Sequence, residues 1–408
     1  MSVEVPEDLP TLDELLLQNA HGRLAELRGP ACPFGNPWGY VSHLVTGYED
    51  ARTLLADPRL SKDQQRVDEL IASKLGLADS AAGAASELTR NMLTSDPPNH
   101  TRLRKLVNKA FTPRTVARLR PRIEQLTREL LDEMAGREQV DLMTAFALPL
   151  PIAVICELLG VDPRDRGDFV GWSNTVLSGA VDVDAMNAAA GQLYELLAKL
   201  VEDKRADPGE DMLSELIQVS EEGDRLAANE LVGMAFLLLS AGYETTVNLI
   251  GNATLALLRA PDQAAKLRAD PSLLPGAVEE FLRYDGPINL ATTRFTTEEV
   301  EVGGATIAAG EFVEISLLAA NRDADKFPDP DELDVTRAAG GHLAFGHGIH
   351  YCVGAPLARM EAEIALGGLL SRFPDLALAV PEEELRYRTS PLVHGLESLP
   401  VRLGTARS

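Results

Sequence analysis

Only three of the 408 residues are cysteine, Cys32, Cys156 and Cys352, an odd number spread far apart. That leaves no disulfide framework, and a reducing cytoplasmic compartment suits the chain. Basic residues are scarce as well: 38 lysines and arginines stand against 62 acidic residues, a formal charge of -24. So acidic a surface excludes nucleic acid and anionic membranes as general partners, since both require a cationic face. Long apolar runs are missing too. The longest apolar stretch, 231–258, meets Glu244 and Asn248 before a membrane span of about 18 apolar residues accumulates. The first eight residues are polar and acidic, unlike a signal peptide or anchor. No internal repeat and no low-complexity linker divides the chain, although the length alone allows two or three domains.

What is present is mostly helical patterning. Apolar periodicity predicts helices over 49–55, 100–110, 116–134, 150–159, 168–177, 185–203, 212–220, 231–258 and 357–370. Residues up to Asn36 read as loop and short helix, with Cys32 in a loop, and 40–45 alternates like a strand. The segment 294–318 switches to strands, including a hairpin over 300–307 with a Gly-Gly turn. Residues 66–92 are rich in small side chains, a composition suited to a mobile loop with a short helix. The long stretch 231–258 is apolar almost all round, so it should be buried on every side. Cys156, inside another apolar run, reads as core.

Two places break these patterns. The first is Phe345-Gly346-His347-Gly348-Ile349-His350-Tyr351-Cys352-Val353-Gly354, with Pro356 suited to a first helical turn. It sets a sulfur at the N-terminus of a helix, whose dipole favours thiolate over thiol. The glycines allow close approach of a flat partner. Three readings compete: a buried small hydrophobe, a zinc site with His342, His347 and His350, or a haem ligand. Zinc is disfavoured because the paired spacings of tetrahedral sites are missing. The second place is Ala241-Gly242-Tyr243-Glu244-Thr245-Thr246, a polar patch in the apolar helix. Gly242 weakens a helix there, and a threonine hydroxyl competes for the carbonyl one turn back.

The spacing F-G-x-G-x-H-x-C-x-G resembles the haem-ligand loop of the cytochrome P-450 family, the haem-thiolate monooxygenases, and the patch resembles that family's oxygen-binding segment A-G-x-[D/E]-T-T. The resemblance covers nearly the whole chain. It implies a mainly α fold with a small β region, residues 1–408 forming one domain with a long central helix over a buried haem. It makes Cys352 the axial thiolate of haem b and gives Glu244 and Thr245 the delivery of protons to the oxygen being cleaved. Members driven by peroxide replace this acid–alcohol pair, so its presence favours dioxygen. His100, Arg104, Arg294 and His350 match the residues that hold the haem carboxylates. Glu280, Arg283 and Arg337 match a structural network on the haem side. Ala324 stands where the family usually has proline.

On the helix opened by Asn99 and His100, Arg102, Lys105 and Lys109 share the face opposite His100 and Arg104. That trio reads as a dock for an acidic ferredoxin, or as a plain solvated face. In the family's layout Met234, Leu238 and Ala241 face the haem from the central helix. Ile288, Asn289, Leu290, Leu392, Val393 and His394 would close the other sides, under a lid made of 66–92 and 172–184. Such a wall selects a bulky, mainly apolar ligand. The implied enzyme is a cytoplasmic monomer of secondary metabolism, similar to actinobacterial tailoring hydroxylases. It would hydroxylate or epoxidise a macrolide, polyketide or steroid-like molecule, with electrons from NAD(P)H through a ferredoxin and its reductase. Dehydrogenation, aromatic coupling, and haem sensing or carriage without turnover are the alternatives.

Overall fold

A computed structural model describes residues 9–11, 20–27, 29, 31–36, 39–76, 88–177, 183–222 and 226–407. Its axis is the helix Ala228–Arg259, 32 residues long, or roughly 48 Å at the rise of an α-helix. Glu230 Oε2 accepts the N–H of Ala227 at 2.8 Å and so closes the first turn. The next helix, Pro261–Ala269, follows at once, its proline ending the run. The polar patch does not interrupt this helix. Gly242 is there for packing: a Cβ would lie 2.6 Å from Ile155 Cδ1 on the helix Pro149–Leu159. Gly251 meets Met143 in the same way, 2.6 Å from its sulfur. The central helix is buried along nearly its whole length. The main apolar core joins it to helices Pro113–Met134, Pro149–Leu159, Val183–Ala206, Met212–Glu222 and Ala355–Arg372.

The helices expected from periodicity form, most of them longer by a few residues, and some start at a capping side chain. Thr112, for example, accepts the N–H of Thr115 and starts a helix at Pro113. Ten short strands lie among the described residues: β1 (Cys32–Gly35), β2 (Val41–Val45), β3 (Leu60–Ser61), β4 (Gln139–Asp141), β5 (Arg294–Thr296), β6 (Val300–Val302), β7 (Ala305–Ile307), β8 (Phe312–Ile315), β9 (Ala377–Leu378) and β10 (Pro400–Arg402). They build a sheet of order β1-β2-β8-β5-β3, a second of order β4-β10-β9, and the hairpin β6-β7. Only β2 and β8 run parallel; the other pairs are antiparallel.

Two expectations change. Cys32 lies on β1, opposite Leu44 of β2, not in a loop. Pro33 hid the strand, but an edge strand tolerates proline. Leu317–Ala320 is a helical turn, capped by Ser316 Oγ accepting the N–H of Ala319 at 3.1 Å. Within 66–92, the helix Gln64–Leu75 is well formed; residues 77–87 lie outside the described residues, as do 178–182 of the second lid segment. Among the described residues no helix is long and apolar enough to cross a membrane.

A buried ion network sits beside the central helix, on the helix Leu274–Asp285. Glu280 and Arg283 are fully buried, and Arg283 grips the carboxylate twice, at 2.7 and 2.8 Å. Arg337 Nε reaches the same carboxylate at 3.1 Å, and the N–H of Asp334 adds a bond at 3.0 Å. Arg283 also donates to the carbonyls of Asn321, Pro330 and Glu332. One buried pair thus fixes the meander leading to the cysteine loop. Arg283→Met leaves Glu280 with one guanidinium fewer and is expected to cost about 3–5 kcal/mol. Arg337→Met, at the rim, is expected to cost less. Urea unfolding midpoints with unchanged slopes check both.

Candidate active site

The cysteine loop is shaped by local geometry. Gly346 and Gly348 take φ of 72° and 76°, which side chains rarely adopt. A Cβ on Gly348 would also lie 3.0 Å from Leu55 O, so the loop rests on the helix Tyr48–Ala56. The N–H of Cys352 donates to Phe345 O at 2.9 Å and closes the turn. Beyond it, Gly354 caps the helix Ala355–Arg372, and the N–H groups of Gly354 and Ala355 point at the sulfur. Burial nevertheless pushes the Cys352 thiol up; those two N–H groups and the Arg104 and Arg359 guanidiniums only partly oppose it. The helix end expected to favour thiolate is present, but it does not outweigh burial. A cationic metal centre bound there would supply the missing stabilisation, because a coordinated thiol loses its proton.

Above the sulfur lies a cavity of about 390 Å³. Leu238, Ala241, Glu244 and Thr245 of the central helix line it, as do Ile288, Leu290, Leu392 and Val393. A bridge between Ile288 and Val393 joins the last two segments. Phe236, Leu237 and Leu93 line it as well and were not anticipated, and Met92 of the expected lid segment joins them. Three expected wall residues face elsewhere. Met234 lies in the main core, and the cavity lining on this helix starts at Phe236. Asn289 is 2% exposed and donates to Ser390 O and Val393 O, tying the wall segments together from behind. His394 turns away from Val393 to donate to Asp285 Oδ1, 2.9 Å off. The same oxygen meets His21 Nε2 at 2.7 Å, from the helix Ala20–Glu26. Burial drives His21 down to about 4. Asp285, though burial raises it, is held well below its ordinary value by the two imidazoles. The zinc grouping does not assemble: His342 pairs with Glu279 at 3.2 Å on another helix.

Glu244 and Thr245 both border the cavity. The Thr245 hydroxyl donates to Ala241 O at 3.0 Å, the back-bond expected from residue physics. Its oxygen lone pairs remain able to accept a further bond. Burial raises Glu244, and Arg388 opposes this through an ion pair of 3.1 Å. Nothing local in the sequence pointed to Arg388. It arrives on a hairpin in which Arg388 N donates to Gly395 O. A Cβ on Gly395 would collide with Asn248, so this hairpin lies directly on the central helix one turn past Glu244.

At the other end of the cavity, His100, Arg104, Arg294 and His350 come together with Lys62. The His100 and His350 rings are 4.3 Å apart. His100 is 3% exposed, yet neither of its ring nitrogens has a partner. Arg104 spends one donor on Tyr351 O at 2.6 Å, and Arg294 spends one on Thr292 O at 2.9 Å. Burial lowers Arg294 to about 10, opposed by Glu314 and Asp96. Orphaned donors and surplus cations on one wall, with a sulfur on the floor, fit a haem with two carboxylates. On the opposite helix face Lys105 and Lys109 are exposed. Arg102 instead pairs with Glu230 of the central helix. Ile349 and Tyr351 are exposed as well, Tyr351 O accepting from Arg104 on the inner face.

Comparisons with known proteins agree with this geometry. Residues 182–384 match the family model of Cytochrome P450. Cytochrome P450 107B1 of Saccharopolyspora erythraea is 52% identical over 98% of this chain and 99% of its own length. Vitamin D(3) 25-hydroxylase of Pseudonocardia autotrophica is 49% identical over 95% and 94%. The solved structure of the tirandamycin C-bound P450 monooxygenase TamI superposes with a TM-score of 0.88 at 51% identity, covering 95% of this chain and 98% of that one.

The ion pair generates a prediction. Arg388 is what holds Glu244 down, so Arg388→Met leaves burial unopposed and the carboxyl titrates at higher pH. Infrared difference spectra across a pH series should show the protonated carboxyl band of Glu244 persisting to higher pH in the variant. An unchanged titration would mean the guanidinium exerts no hold on this acid.

Proposed function

The chain belongs to the cytochrome P450 family and is a monooxygenase of that family, and on this footing we propose that it oxidises a bulky, mainly apolar small molecule with dioxygen, using Cys352 as the axial thiolate of haem b. The observation that carries the reading is that Cys352 and the pair Glu244–Thr245 border one cavity from different elements. A haem carrier or sensor has no use for an acid and an alcohol at that place. The overall reaction balances as substrate plus dioxygen, NAD(P)H and a proton, giving hydroxylated or epoxidised substrate, water and NAD(P)+. Residues 1–408 act as one functional domain, in a cytoplasmic monomer.

When bound, haem supplies the chemistry by which dioxygen is reduced and split. The chain's own residues do the rest. His100, Arg104, Arg294 and His350 hold the carboxylates at the cationic end. Thr245, its hydroxyl hydrogen engaged by Ala241 O, accepts a hydrogen bond and so orients a water over the site. Glu244, raised by burial with Arg388 opposing, takes up a proton and passes it inward. Arg388, one-third exposed, links that acid to solvent. Leu238, Ala241, Ile288, Leu290, Leu392 and Val393 exclude other water and set substrate position by shape. Hydroxylation of vitamin D(3) by one relative and binding of tirandamycin C by another support a large substrate of macrolide, polyketide or steroid-like kind.

Electrons reach the haem from NAD(P)H through a reductase and an acidic ferredoxin docked on Lys105 and Lys109. Arg102, committed to Glu230, does not belong to this dock.

Two experiments test the reading. Thr245→Ala is expected to keep consuming NAD(P)H and dioxygen while product per NAD(P)H falls about tenfold or more, the balance appearing as peroxide. A wild-type ratio would leave Thr245 as a packing residue. Charge reversal at Lys105 and Lys109 is expected to slow ferredoxin-driven turnover about tenfold at low salt. Raising ionic strength, with its screening length of about 10 Å at 0.1 M, should narrow the gap. Peroxide-driven turnover should be spared; equal loss by both routes would point to a damaged fold.

A further inference from the structure

Strand β3 pairs with β5 in antiparallel register, Leu60 opposite Thr296 and Ser61 opposite Phe295. One further step along that register sets Lys62 opposite Arg294. Two cations directly across neighbouring strands repel each other. Both are also buried, each 3% exposed, and a buried charge is tolerated only with a matching partner. The backbone pins Lys62 in this position all the same. Its N–H donates to Asp96 Oδ1 at 3.2 Å. The adjacent Asp63 caps the helix Gln64–Leu75 by accepting Arg66 N–H at 3.0 Å. Asp96 is already engaged, because its other oxygen accepts the Ser61 hydroxyl. Glu314, the carboxylate behind Arg294, accepts the Thr293 hydroxyl at 2.9 Å. Burial and the Arg294 guanidinium hold the Lys62 ammonium well below its ordinary range, with Asp96 opposing. Lys62 borders the same end of the cavity as His100, Arg104, Arg294 and His350.

Resting on the haem reading above, we propose that Lys62 is a fifth holder of the haem carboxylates, its ammonium and the Arg294 guanidinium gripping one carboxylate between them. The carboxylate converts a cross-strand repulsion into attraction on both sides. The cofactor thereby joins β3 to β5, beyond what their two-residue ladder achieves.

The test uses the haem-loaded enzyme as purified, with the wild-type chain, Lys62→Met and Lys62→Arg. Resonance Raman spectra of the haem carboxylate bending band read hydrogen bonding at those groups directly. Transfer of haem to excess apomyoglobin reads its retention. In Lys62→Met the band should shift toward weaker hydrogen bonding, and haem loss should speed up on the order of tenfold, as for one lost charge-assisted hydrogen bond. Lys62→Arg should keep both near wild type. An unmoved band in Lys62→Met overturns the proposal even if haem leaves faster, since a loosened structure alone does not reach that vibration. Should the methionine variant fail to fold, Lys62→Gln, which keeps a donor but no charge, should shift the band part of the way, and no shift there overturns the proposal equally. A wild-type protein that purifies without any haem absorption sinks the haem reading itself, a result distinct from an unmoved band in a haem-loaded variant.

Discussion

A helix that is apolar around its whole circumference persists in water only when other elements cover every face of it. The helix Ala228–Arg259 sets that condition here, and the arrangement of the chain answers it. Helices pack close enough to require Gly242 and Gly251, whose missing side chains admit Ile155 and Met143. The one stretch left partly uncovered, around Ala241 and Thr245, is where the cavity opens. The cavity is therefore the gap in a packing problem otherwise solved. Its carboxylate sits on one turn of helix above, and its lysine and arginines form one rim at the side.

Charge is distributed by the same logic. The chain carries a formal charge of -24, yet its interior rim collects Lys62, Arg104 and Arg294. Those cations are held at different places, the residue after β3, the helix Asn99–Ala110 and β5. Each has its backbone fixed by pairing or capping, so none is able to retreat to solvent. The distal acid follows the opposite rule. Glu244 is buried mid-helix and has Arg388, from a segment more than a hundred residues later, to offset burial.

Features written within a few residues were legible in the sequence. The glycines flanking Cys352, the acid–alcohol pair and the apolar length of the central helix depend on nearest neighbours, and the structure places them as their spacing implied. Lys62 and Arg388 were not legible, because strand register and hairpin placement select their partners from afar. His394 and Asn289 were read as wall residues from their proximity to Val393 and Ile288. In extended chain one step turns a side chain to the other side, and both face inward to hold the wall. Arg102 was grouped with Lys105 and Lys109 by helix face alone; Glu230, at the start of the central helix, draws it away.

A single carboxylate oxygen of Asp285 receives His21 from the N-terminal helix and His394 from the C-terminal hairpin. Three segments separated by hundreds of residues therefore share one acceptor, immediately behind Pro287 and Ile288 of the cavity wall. Recombination between relatives is constrained by this. A chimera that takes its binding wall from one parent and its first thirty residues from another strands a buried anion unless both parents bring the matching imidazole. The N-terminal helix, remote in sequence from every residue that lines the cavity, is inherited with it as one unit.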